Sequence, residues 1–151
     1  MTSMQDGIIQ RGFREGDLPR VIEFKRNSMA ASFPGKKFDQ AVFKKRLLWC
    51  ARKRPDWIQV LEKDGEVIGY AWFGWSKGYM GRYGFLHQLF IDEKYRQKGL
   101  AQRLLKHAEA YMLSQGIRRM QLRVTKTNAP ALKLYEKMQY RKTRIIMEKK
   151  L

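Results

Sequence analysis

Six consecutive residues, Arg96-Gln97-Lys98-Gly99-Leu100-Ala101, have the types and order suited to holding a diphosphate. They stand where an apolar run, residues 85–91, breaks off at charged residues 92–96 and helical spacing takes over. Ala101, Leu104, Leu105, Ala108 and Met112 recur at three- and four-residue intervals up to Gly116, a natural helix stop. The first N–H groups of such a helix lack intrahelical partners and carry about half a positive charge, so they attract an anion. Gly99 has no Cβ and Ala101 a minimal one, which lets the main chain approach a bulky ligand, and Arg96 and Lys98 add positive charge beside it.

The elements that must position this turn can be read along the chain. Residues 8–14 alternate, with Ile9 and Phe13 on one side of Arg11, and predict a first strand. Asp17 is placed to cap a helix with Pro19 in its first turn and Leu18, Val21, Ile22, Lys25 and Met29 at helical intervals, until residues 32–35 break it. Asp39 begins a second helix, with Val42, Phe43, Leu47, Cys50 and Ala51 in one stripe; it ends by Arg54 because Pro55 follows. Residues 57–63 and 66–75 read as strands joined by Asp64-Gly65, a strong hairpin signal, and Gly69 within the second marks a bulge or a close backbone approach. Residues 76–84, with glycines at 78, 81 and 84, are expected to form a loop. Met120, Leu122 and Val124 alternate as a further strand. Asn128 then caps a short helix with Pro130 in its first turn and Ala131, Leu134, Tyr135 and Met138 on one face, and residues 141–149 alternate as a last strand. This order predicts an α/β (α+β) fold: one domain over residues 1–151, on a mixed, largely antiparallel sheet flanked by helices.

Two stretches sharpen the reading. Residues 96–101 resemble the [Q/R]-x-x-G-x-[G/A] signature of the GNAT superfamily of acyl-CoA N-acyltransferases. Residues 128–140 resemble its second signature, N-x-x-[A/S]-x-x-L-Y-x-x-x-G-[F/Y], at Asn128, Ala131, Leu134, Tyr135 and Tyr140, with Gln139 where glycine is usual. The resemblance covers residues 8–148, and its specific part is residues 86–140.

The resemblance implies transfer of an acetyl group from acetyl-CoA to a primary amine. Cofactor-binding residues would be Leu89, Phe90 and Ile91, whose backbone pairs with the pantetheine arm, and Arg96, Gln97, Lys98, Gly99, Leu100 and Ala101 at the pyrophosphate, together with Asn128. Catalytic candidates are Tyr135, as proton donor to the departing thiolate, and His87. Relatives often place a glutamate base on the strands equivalent to residues 85–91 or 119–124; here those strands offer His87 and no carboxylate. Its ordinary pKa, near 6.5, suits that role, and a histidine hydrogen-bonded at a sheet rim is the other reading. His107 reads as surface. Lys133 and Lys137, one helical turn apart, either reach a 3'-phosphate or form a solvated face. The loop expected between the first two helices, residues 27–37, would wall the acceptor site, as would some of Trp72, Phe73, Trp75, Tyr79 and Tyr83 that are not core. The acceptor is a small amine or a protein or peptide amine. Relatives that acetylate protein N-termini tend to carry a glutamate where this chain has Arg123.

Bulk composition narrows the setting. No stretch approaches the roughly 20 apolar residues of a membrane span, the first residues lack a secretion-signal pattern, and a single cysteine, Cys50, cannot form an internal disulfide. A cytoplasmic protein without metal or membrane partner is expected; pairing into a homodimer is left open. The formal net charge of +18 has two readings. One is a solvated basic surface; the other is a noncatalytic acyl-CoA-fold protein that binds RNA or the ribosome. High positive charge also disfavours polyamine and aminoglycoside acceptors.

Overall fold

The computed structural model describes residues 3–151, with side chains from Asp6 onward. Six strands form one sheet in sequence order: β1 (Ser3–Gln5), β2 (Ile8–Gly12), β3 (Ile58–Lys63), β4 (Glu66–Gly78), β5 (Gly81–Ile91) and β6 (Met120–Leu122). Successive pairs are antiparallel up to β5, and β6 joins β5 in parallel, which makes the sheet mixed and largely antiparallel as expected. Helices α1 (Leu18–Ser32) and α2 (Gln40–Lys53) connect β2 to β3. Helix α3 (Leu100–Ser114) connects β5 to β6, and α4 (Ala129–Lys137) follows.

Turn chemistry accounts for the tight connections. Asp64 and Gly65 both take positive φ, 50° and 81°, as a two-residue hairpin matched to strand twist requires. Asp6-Gly7 repeats the dipeptide with φ of 54° and 74° and joins β1 to β2, a hairpin the same signal could have found. The loop expected at residues 76–84 is instead the tip of a long hairpin: Ser76, Lys77 and Gly78 face Tyr83, Arg82 and Gly81, leaving only Tyr79-Met80 to turn. Its glycines punctuate strands rather than interrupt them; a Cβ on Gly84 would come within 2.7 Å of Met112 Cγ.

Four further expectations change. Residues 27–32 belong to α1, so the connection to α2 is residues 33–39. The strand through Val124 stops at Leu122. Residues 141–149 form no strand: they are exposed, Ile145, Ile146 and Met147 included, because alternation without a neighbouring ladder has nothing to pair with or bury against. Asp17 does precede α1, but its carboxylate caps nothing there. It accepts from Arg11 at 2.8 and 2.9 Å and from the Arg14 N–H at 2.7 Å, while Arg11 also donates to Glu62 at 2.6 Å. This buried network ties β2, β3 and the entry to α1 together.

Two apolar layers sandwich the sheet. On one face Leu104, Leu105, Ala108 and Met112 of α3 pack on Leu61, Ile68, Phe73, Leu86 and Ile91. On the other, Val21, Ile22 and Phe24 of α1 and Phe43, Leu47 and Cys50 of α2 pack on Ile58, Val60, Val67 and Tyr70. The alternation of strand side chains divides residues between these layers.

Candidate active site

The parallel pair β5 and β6 lies side by side only through Gly84–Met120, Phe85–Gln121 and Leu86–Leu122, while β5 runs on to Ile91. Beyond Leu86 the strands part, and the edge of β5 faces an opening. Which backbone groups line it follows from the ladder. The Asp92 N–H donates to Ile68 O at 2.7 Å, so position 92 is hydrogen-bonded to β4, as is Phe90 two residues before, paired with Tyr70. Leu89 and Ile91 therefore turn their N–H and C=O groups away from β4, toward the opening. Leu89 thus presents both backbone groups there and Ile91 its N–H, its C=O accepting from Arg96 Nε, whereas Phe90 spends its groups on β4 and stacks on Phe24 at 4.8 Å.

The turn that follows brings the helix start to the same end of β5. Gln97 and Gly99 take φ of 63° and 75°, and Gly99 stands at the N-cap of α3. A Cβ there would meet nothing within 4 Å, so glycine serves the left-handed backbone and open access rather than packing. Among the described residues nothing accepts from the N–H groups of Gly99, Leu100 and Ala101. The side chains divide their work. Arg96 is tethered, donating from Nε to Ile91 O at 3.0 Å with its guanidinium 5.3 Å from the Phe90 ring, and so fixes the end of β5. Lys98 is exposed, with Nζ 5.5 Å from the Tyr95 ring. Leu100 is buried under the sheet, and Asn128 accepts from the Ala131 N–H at 3.3 Å as the cap of α4.

Of the titratable candidates, His87 is the unpaired residue of β5. The register passes from Gln88–Trp72 to Leu86–Phe73, leaving His87 as a bulge beside the opening. Its ring lies 5.0 Å from Phe85 and 5.3 Å from Trp72, and it makes no hydrogen bond to the described residues. His87 keeps an exposed side, but partial burial of its ring and then the Arg123 charge hold its pKa below the ordinary value. Tyr135 packs against the α3 layer with its ring 6.0 Å from Tyr140 and its hydroxyl unbonded among the described residues; burial pushes its pKa up to about 12. Tyr140 OH donates to Glu109 at 2.8 Å and ties α4 to α3. His107 is not the surface residue expected: it packs on Phe73 at 6.0 Å, and burial lowers its pKa. Cys50 faces the core from α2, where burial pushes the thiol up.

The family profile described as acetyltransferase (GNAT) matches residues 22–140. The chain belongs to the GNAT family. A Bacillus subtilis (strain 168) protein, the uncharacterized N-acetyltransferase YycN, is 32% identical over 94 residues, 62% of this chain and 59% of that one. The chain spans less than two thirds of the length of the first relatives it matches, 59% and 58%. In fold it is similar to a predicted acetyltransferase with acetyl-CoA from Clostridium acetobutylicum, with TM-score 0.77, 14% identity and 95% and 96% of the two chains covered. It is similar also to a GCN5-related N-acetyltransferase from Ralstonia eutropha JMP134, with TM-score 0.78, 20% identity and 95% and 98% covered.

In GNAT terms, the departure at Gln139 is now explicable. Gln139 adopts φ of 72°, the left-handed conformation that glycine takes freely, and Tyr140 N–H reaches Tyr135 O at 2.9 Å to close the helix end. Two cations on the sheet face away from α3 were missed by sequence reasoning. Lys25, read only as part of a helix face, donates to Gln88 at 3.1 Å and loses pKa to burial. Arg119 stands over the Tyr83 ring at 5.6 Å with a buried Nε that has no partner among the described residues. Basic residues on a helix and beside a strand carry no pattern that marks them as inward-facing.

Proposed function

We propose that this GNAT chain transfers an acetyl group from acetyl-CoA to a primary amine, by direct attack of the amine in a ternary complex. The observation that carries the reading is the meeting of an opened parallel strand pair with a helix start whose leading N–H groups are unpaired. A ligand with an amide-bearing arm and a diphosphate answers both: Leu89 and the Ile91 N–H offer the arm a strand edge, and residues 99–101 offer the diphosphate their N–H groups. The thioester supplies an activated acyl group; the protein has to orient it and manage two protons.

His87 supplies the base. It is neutral at neutral pH because its cationic form is disfavoured, and its bulge turns it toward the cleft. Tyr135 supplies the acid: with its pKa pushed up to about 12 it keeps its proton throughout the physiological range and can donate it to the departing sulfur. Cys50 stays protonated in the core, which supports direct attack over an acyl-enzyme.

Two measurements test this. Micromolar acetyl-CoA raises the melting temperature and, with an amine present, free thiol appears; an unmoved melting curve overturns the proposal. Tyr135→Phe lowers kcat by about 100-fold with little change in acetyl-CoA affinity, and an unaltered kcat removes the tyrosine from the mechanism.

A further inference from the structure

On the sheet face away from α3 lies a cavity of about 350 Å3 lined by Trp75, Ser76, Tyr83, Phe85, His87 and Arg123. Its side of the sheet follows from β5: Gly84 and Leu86 turn toward Met112 and the α3 layer, so Tyr83 and Phe85 turn the other way. That size suits a small molecule, at the lower end of ligand pockets.

Its electrostatics have one sign. Arg123 is the permanent charge in the lining, its guanidinium 5.7 Å from the Phe85 ring. Arg119 adds a second guanidinium over Tyr83 at 5.6 Å, with its orphaned, buried Nε. No aspartate or glutamate occurs in residues 67–91 or 110–135, which hold β4 beyond its first residue Glu66, β5, β6 and the segment after β6. Lys25, bonded to Gln88 on the strand next to His87, is a third cation on this face. A polycationic acceptor would meet like charge here with no carboxylate to receive it. Guanidinium groups present N–H edges in the geometry that carboxylate and phosphate oxygens accept.

We propose that the acceptor is a small primary amine that also bears an anionic oxygen group, held by Arg123 with Arg119 beside it, while the amine faces His87. This names the acceptor of the reaction proposed above and rests on that reading. The aromatic walls, Trp75, Tyr83 and Phe85, favour an apolar or aryl body between the two polar ends.

The experiment pairs each anionic amine with its neutral counterpart: L-phenylalanine with L-phenylalaninamide, and phosphoethanolamine with ethanolamine, beside spermidine. Thiol release from acetyl-CoA is followed with the unaltered protein and with Arg123→Gln. The anionic member of at least one pair is expected to have a kcat/KM about tenfold above its partner, and the pair that shows it tells carboxylate from phosphate. Arg123→Gln should abolish that preference, chiefly through a raised KM for the anionic member, when the two members of each pair are compared on the same protein. Equal or better use of the neutral amines or spermidine overturns the inference, as does a preference that survives Arg123→Gln. So does failure of both anionic amines with a protein that acetyl-CoA stabilises. Absence of that stabilisation instead takes down the acetyl-transfer reading itself.

Discussion

His87 owes its position to a single unpaired step in the β4–β5 ladder, and the same location sets its acidity. Restricted water contact and the Arg123 charge both penalise the imidazolium, so the proton leaves at lower pH than from a free histidine and the basic form is present above that point. The acid limb of the kcat/KM profile should therefore have its midpoint below the ordinary value of about 6.5, and Arg123→Gln should move it upward. A pH–rate profile on both proteins measures this; a midpoint above 6.5, or one indifferent to Arg123, would exclude His87 as the base. At this scale the sequence was informative where chemistry is local. The turn at Gly99 leading into a helix could be read from residue types alone, since such a turn is a short-range event. The bulge that aims His87 was not legible, because it depends on how many residues of β5 lie opposite β4.

Among the elements, α4 carries the clearest conflict between residue type and backbone. Gln139 holds a left-handed conformation that costs a side-chain-bearing residue about 1–2 kcal/mol, in return for closing the helix through Tyr140 N–H. Gln139→Gly removes that strain at some cost in unfolded-state freedom, so a net stabilisation of about 0.5–1 kcal/mol is expected in urea unfolding. A destabilised variant would mean the glutamine side chain contributes contacts that outweigh its strain. Gly69 makes the opposite case: a Cβ there would lie 2.8 Å from Phe90 O, so the pairing of β4 with β5 requires glycine. Helix boundaries and the Asp64-Gly65 hairpin were legible because caps and turn residues act over a few positions. The long hairpin through residues 76–84 and the unformed strand at 141–149 were not, since strand formation is settled by partners distant in sequence.

For the molecule as a whole, the net charge of +18 acts at long range on a polyanionic ligand. Attraction of this kind is screened over about 10 Å at 0.1 M salt and about 3 Å at 1 M. The association rate of acetyl-CoA should accordingly fall several-fold as salt rises from 0.05 to 0.5 M, with a smaller change in dissociation, as stopped-flow measurements can determine. A salt-independent rate would leave the charge without a role in encounter, and salt-sensitive RNA binding without any response to acetyl-CoA would favour the noncatalytic alternative. The sequence by itself determined the order of helices and most strands, the diphosphate-suited turn and the family likeness, all of which rest on periodicity, capping and short spacings. Only the tertiary structure decided where β5 and β6 part, which N–H groups face that opening, and that Arg119, Arg123 and His87 share one side of the sheet. Those facts depend on ladder register between segments some 35 residues apart, and register is a property of the packed sheet rather than of either strand.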